Sequence, residues 1–158
     1  MRRIWQVPYA FQSLCFGTLL GLITLVHHLH SALVLHPDGG AMHVVWIEIF
    51  MIPATILSML CFLRTGSQIA LWAYAAIAIS GFVFLGLYEG GWNHTLKVLG
   101  YLRIDSPTTH IGLILPRDNV HLWFYELTGI ATFLCALVAS WFSLRFYIFA
   151  NELQQSRI

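Results

Sequence analysis

Charge is scarce in this chain. Of its 158 residues, 9% are charged and 58% are hydrophobic, whereas a soluble domain carries about 25% charged residues. That balance excludes an ordinary soluble domain. The formal net charge of +1, from scattered basic residues, excludes a nucleic-acid surface, which needs basic side chains clustered on one face. Cysteine is nearly as scarce. Cys15, Cys61 and Cys135 fall in three separate apolar stretches; they form no CxxC pair and, being odd in number, no disulfide framework. They read as small apolar packing residues. Walker-type GxxxxGK, GxSxG, HExxH and CxxCH signatures are all missing, which removes the common phosphate-loop, serine-hydrolase, zincin and c-type haem readings.

What is present is apolar length. Four windows, 10–29, 43–63, 68–88 and 121–146, each approach or exceed the roughly 20 residues with which a helix crosses a bilayer. Helices are the expected form, because an open sheet leaves backbone groups unsatisfied in lipid. The expected fold is an all-α integral membrane protein, a single four-transmembrane-helix bundle with the lipid bilayer as its first partner and a long outer loop, 89–120, between helices 3 and 4. Arg2 and Arg3 precede the first window, as in a signal peptide, but its far end, VHHLH, lacks a small-residue cleavage pattern. Four spans put both termini on one side with Arg2, Arg3, Arg64, Arg145 and Arg157, against Lys97, Arg103 and Arg117 on the other. The positive-inside bias then makes the termini cytoplasmic, and a bacterial inner membrane is the expected location. Trp46, Trp92 and Trp123 at one boundary, with Trp5 and Trp141 at the other, read as aromatic belts.

A last absence is positional. All eight histidines, at 27, 28, 30, 36, 43, 94, 110 and 121, fall on the outer side or within a turn of it, and the cytoplasmic half has none. Two outer-to-inner helices also begin alike, HVVWIE at 43–48 and HLWFYE at 121–126. This echo suggests two tandem helical hairpins related by an axis along the membrane normal, and puts Glu48 and Glu126 at equal depth. Glu89 directly follows the third window, and His27 and His28 close the first. Gly17 and Gly21 make a GxxxG face suited to close helix packing, and Pro53 is expected to kink the second helix.

Carboxylates with imidazoles are the donor set of iron, copper, zinc and manganese sites, and acids inside a membrane need partners. The expected ligands of a transition metal are His27, His28, His43, Glu48, Glu89, His94, His121 and Glu126. The three glutamates would bind directly with His27 or His28, and His43, His94 or His121 would reach in from helix ends. Histidines outside that set would orient ligands or relay protons. His36 and His110 lie farther from any helix and are expected in solvent. One spacing resists this picture: His43 to Glu48, Glu89 to His94 and His121 to Glu126 are each five residues apart. On an ideal α-helix that separates the pair by about 140°, so they share a face only where the helix is distorted.

The resulting expectation is a membrane metalloprotein with a mono- or dinuclear site at the outer face, acting in oxidoreduction or metal handling. Inner-half polar residues such as Ser13, Ser58, Ser80 and Ser140 appear as isolated hydroxyls, which argues against conduction. The alternatives are a haem b protein, with His27 or His28 opposite His121 as axial ligands, and a non-catalytic subunit of a larger membrane complex or homo-oligomer. Within these, the acids and histidines would form a structural polar network or face a partner.

Overall fold

A computed structural model describes residues 7–35, 42–96, 98–99 and 120–155, without the side chains of 120–122. Among the described residues the chain is helical, with no strand. Helix α1 spans Ala10–His30 and continues through a short π-helical segment, Ser31–Leu35. Helix α2 spans Met42–Thr65. Helix α3 spans Gln68–Ser80 and continues as a π-helix over Gly81–Leu96, and helix α4 spans Val120–Gln155. Four helices are long and apolar enough to cross a membrane.

The four helices pack as a ring: α1 lies against α2 and α4, and α3 lies against α2 in its first half and against α4 in its π-helical half. The α2–α3 turn is tight. Gly66 takes a left-handed φ of 68°, and the Ser67 side chain caps the first turn of α3 by accepting from the Ala70 N–H at 3.4 Å. The bundle is inverted relative to a soluble one. Phe50, Ile69 and Phe84 are 65–74% exposed, while His27, Thr24, Ser13 and Glu126 are fully buried.

The packing seam follows small and polar residues. Along the first helix and its continuation, Ala10, Ser13, Leu20, Thr24, His27 and Ser31 are all buried at three-, four- and seven-residue steps, the spacing that keeps one face toward neighbouring helices. Gly17 and Gly21 complete this face against α2; a Cβ on Gly21 would come within 2.7 Å of Ile52. Pro53 does not end α2, which continues to Thr65, although its missing N–H leaves the Ile49 carbonyl without a helical partner.

The third span does not stop at Tyr88, as the apolar window suggests, but runs on to Leu96. Glu89 and His94 therefore sit on a helix, and the expected loop 89–120 loses its first eight residues; residues 100–119 lie outside the described residues. Glycine explains the extension. Gly81, Gly86 and Gly91 are buried at five-residue steps, the repeat of a π-helix, which bonds residue i to i+5. At Gly86 and Gly90 the lack of a side chain lets α3 lie close on α4: a Cβ on Gly86 would meet Ala136 Cβ at 2.6 Å, and one on Gly90 would meet Phe133 N at 2.6 Å and Gly129 O at 2.8 Å. The pattern Gly-Leu-Tyr-Glu-Gly-Gly reads as a chain break in water but as a close-packing surface in lipid.

The terminal end of the bundle is apolar. Val7, Ala10, Met59, Phe62, Leu71, Phe146 and Ala150 form one buried apolar cluster. Ser13 is not isolated, contrary to its appearance in the sequence: it bonds Tyr74, and Ser143 bonds both at 3.0 Å, closing a buried ring of three hydroxyls above the plug.

The glycine contacts predict opposite fates for two substitutions in one helix. Gly90→Leu drives a side chain into α4 backbone and should cost about 3 kcal/mol. Gly81→Ala meets nothing within 4 Å and should change stability by no more than about 1 kcal/mol. Thermal unfolding in detergent checks both; similar midpoints for the two variants would contradict the close α3–α4 packing.

Candidate metal centre

At the end of the bundle opposite the plug, three histidines converge on one carboxylate. His27 and His28 come from the last turn of α1, Glu89 and His94 from the π-helical half of α3. The π-helix resolves the five-residue spacing. Because residue i lies under i+5 in this geometry, Glu89 and His94 stack, with Glu89 Oε1 3.3 Å from His94 Nε2. Thr95 follows the same register, its hydroxyl donating to the Gly90 carbonyl at 2.8 Å. In α2, which remains α-helical, the same spacing leaves His43 exposed on a different face from buried Glu48, so His43 is outside the cluster. His121 lies on α4, but its side chain is outside the described residues, as are His36 and His110.

Each histidine is held by its Nδ1. Thr128 donates its only hydroxyl proton to the carbonyls of Phe124 (2.8 Å) and Tyr125 (3.0 Å). Its oxygen is then open to accept from His27 Nδ1, 2.9 Å away. His28 Nδ1 donates to Glu48 Oε1 at 2.7 Å, and His94 Nδ1 donates to Glu126 Oε2 at 2.7 Å. With all three Nδ1 atoms engaged, it is the Nε2 atoms that face the centre of the group. These point at Glu89 Oε1 from 3.7 Å (His27), 3.9 Å (His28) and 3.3 Å (His94). The other Glu89 oxygen accepts from Asn93 Nδ2 at 2.7 Å.

Glu48 and Glu126 thus stand behind histidines rather than beside Glu89. This differs from the expectation of three glutamates in direct contact with an ion. Both acids are buried, at 2% and 0% exposure, where an unpaired carboxylate is costly; the imidazole N–H offsets that cost and fixes the ring. The two contacts are alike in atoms and length, His28 on α1 to Glu48 on α2 and His94 on α3 to Glu126 on α4.

Further residues that show no metal-ligand pattern in the sequence shape the site. Tyr125 stacks on the His27 ring at 4.2 Å and 16°, and His94 meets both edge-on at 4.7 Å. Gly129 leaves space for the His94 ring, on which any Cβ there would fall. Neither role leaves a local trace: Tyr125 looks like one more belt aromatic, and Gly129 like one more glycine in a membrane helix.

Three Nε2 atoms facing one carboxylate form a group whose charge is balanced by a cation, either a proton held between His94 Nε2 and Glu89 Oε1 or a metal ion. His27, Glu89 and His94 place one donor atom each within 4.8 Å of one another and can hold a metal ion. Behind them Thr128 and Glu126 orient the imidazoles, and Asn93 the carboxylate, as the partners of metal ligands do. Glu89 keeps 17% side-chain exposure while the rings of His27 and His94 keep 0% and 1%, so approach to the group is from the Glu89 side.

The pairing predicts distinct effects at Glu126. Glu126→Ala leaves His94 Nδ1–H without its acceptor and should destabilise the protein by about 1–3 kcal/mol. Glu126→Gln keeps an acceptor oxygen and should recover most of that loss. Equal melting temperatures for the wild type and the alanine variant would contradict the His94–Glu126 bond. No family model, curated protein or solved structure matches this chain, so the functional reading rests on the geometry of these side chains.

Proposed function

We propose that the protein is an integral membrane metalloprotein whose His27, His94 and Glu89 bind one transition-metal ion, with His28 Nε2 adjacent as a further donor, and that the site serves oxidoreduction. The observation that carries this reading is the convergence of three Nε2 atoms on Glu89 Oε1, with every Nδ1 already committed elsewhere.

Two imidazoles and one carboxylate with open positions are the donor set of non-haem Fe(II) oxygenases, and a related set holds catalytic zinc. Iron is favoured by the redox reading, and zinc is the redox-silent alternative. When bound, the metal would supply Lewis acidity or electron transfer. The chain's own residues supply the charge-balancing carboxylate, the orientation of the imidazoles and, through Tyr125 and the surrounding helices, shielding from water. Oxidoreduction is preferred over translocation of metal because the bundle beyond the hydroxyl ring is filled by the apolar plug, with no acid or histidine within it to pass an ion along.

All four donors come from one chain, so this reading needs no partner subunit at the site. The matched His28–Glu48 and His94–Glu126 contacts support the tandem-hairpin origin suggested by HVVWIE and HLWFYE. The histidine end is proposed to face outward in a bacterial inner membrane, following the arginine bias. Haem is disfavoured: the His27 and His28 Nε2 atoms face Glu89, which would have to leave for a porphyrin to bind.

Elemental analysis tests the proposal. Wild-type protein reconstituted with Fe(II) or Zn(II) should retain about one equivalent per chain with no Soret band. His27→Ala, His94→Ala and Glu89→Ala should each lower metal affinity by at least the roughly 10–100-fold typical even of residues that only support a ligand, while His43→Ala should leave it unchanged. Wild-type retention below about 0.1 equivalent would overturn the proposal, and a Soret band would replace it with the haem alternative.

A further inference from the structure

Between the metal group and the hydroxyl ring lies a partly open cavity of about 60 Å³, bordered by all four helices. Glu48 lines one end, and Tyr74 and Ser143 line the other. Between them the walls are mainly apolar or small, with Gly21, Ile52, Ala78 and Leu85 among them. A dry apolar cavity would need no occupant, but this one is not apolar at its ends. Glu48 is 2% exposed and its Oε1 is engaged by His28, while Oε2 is buried with no hydrogen-bond partner. A carboxylate oxygen left without a donor in a low-dielectric interior is costly.

We infer that the cavity is a water site. Each buried water needs at least about 10–15 Å³ of such space and two to four polar partners, so the volume accepts up to about four molecules. Glu48 Oε2 accepts from the first, and the hydroxyls of Tyr74 and Ser143 bind the last. Neighbouring waters supply the remaining partners across the apolar stretch. The waters lead from Glu48 Oε2 toward the Ser13–Tyr74–Ser143 ring, which lies above the apolar plug. The hydration holds whether or not the neighbouring histidines bind a metal.

X-ray hydroxyl-radical labelling of the full-length chain in lipid nanodiscs, in ¹⁸O water with mass spectrometric readout, detects internal water directly. Met51 and Tyr74, which line the cavity, should incorporate ¹⁸O at least tenfold faster than Met59 in the apolar plug. Gly81 also lines the cavity, and a Cβ there meets no atom within 4 Å, so Gly81→Leu fills the space without disturbing the fold. It should lower labelling of Met51 and Tyr74 at least fivefold, as should Glu48→Leu, which removes the anchor. Labelling of Met51 and Tyr74 no faster than Met59, or unchanged in a folded Gly81→Leu protein, would overturn the inference. Neither readout depends on metal content, so it fails or stands separately from the metal proposal.

Discussion

The hydrogen bond at each Nδ1 is the constraint on which the rest depends. Imidazole has two nitrogens and, when neutral, one proton; fixing that proton on the outward nitrogen decides what the inward nitrogen can do. Thr128, Glu48 and Glu126 each fix one ring in this way. Three Nε2 atoms are thereby turned on Glu89, an arrangement in which a proton or a metal cation balances the carboxylate. The surrounding helices bear the cost of burying two acids because each acid receives an N–H, and the metal reading follows from the same bonds that keep the apolar bundle tolerable to its polar core.

The π-helix converts this chemistry into geometry. In a regular α-helix Glu89 and His94 would diverge, as His43 and Glu48 do on α2. Gly81–Leu96 stacks them instead, and Gly90 lets that helix lie backbone to backbone on α4, where Gly129 makes room for His94. One local distortion therefore brings a carboxylate and an imidazole together and sets them against the helix that carries Glu126, Tyr125 and Thr128. Such departures from α-helical geometry are frequent at functional sites.

The four spans were legible in the sequence because length and hydrophobicity suffice to mark a membrane helix, and the one-sided placement of histidine located the polar end. Which face of each helix turned inward was not legible from hydrophobicity, since lipid and core are equally apolar. It was carried instead by small and polar residues at helical steps, such as Ser13, Thr24 and His27 on α1. The division of labour among the acids was also hidden. Glu48, Glu89 and Glu126 look equivalent in a list, and only the tertiary contacts place Glu89 among three Nε2 atoms and the other two behind rings. The third span was underestimated because Gly90–Gly91 signals a turn in water but close packing between membrane helices.

X-ray absorption of the protein loaded with Zn(II) most directly tests the claim that these rings are aimed at an ion. The account predicts two or three imidazole nitrogens at about 2.0–2.1 Å, together with a carboxylate oxygen, in the zinc coordination sphere. A shell of water oxygens without the multiple scattering of imidazole would contradict it.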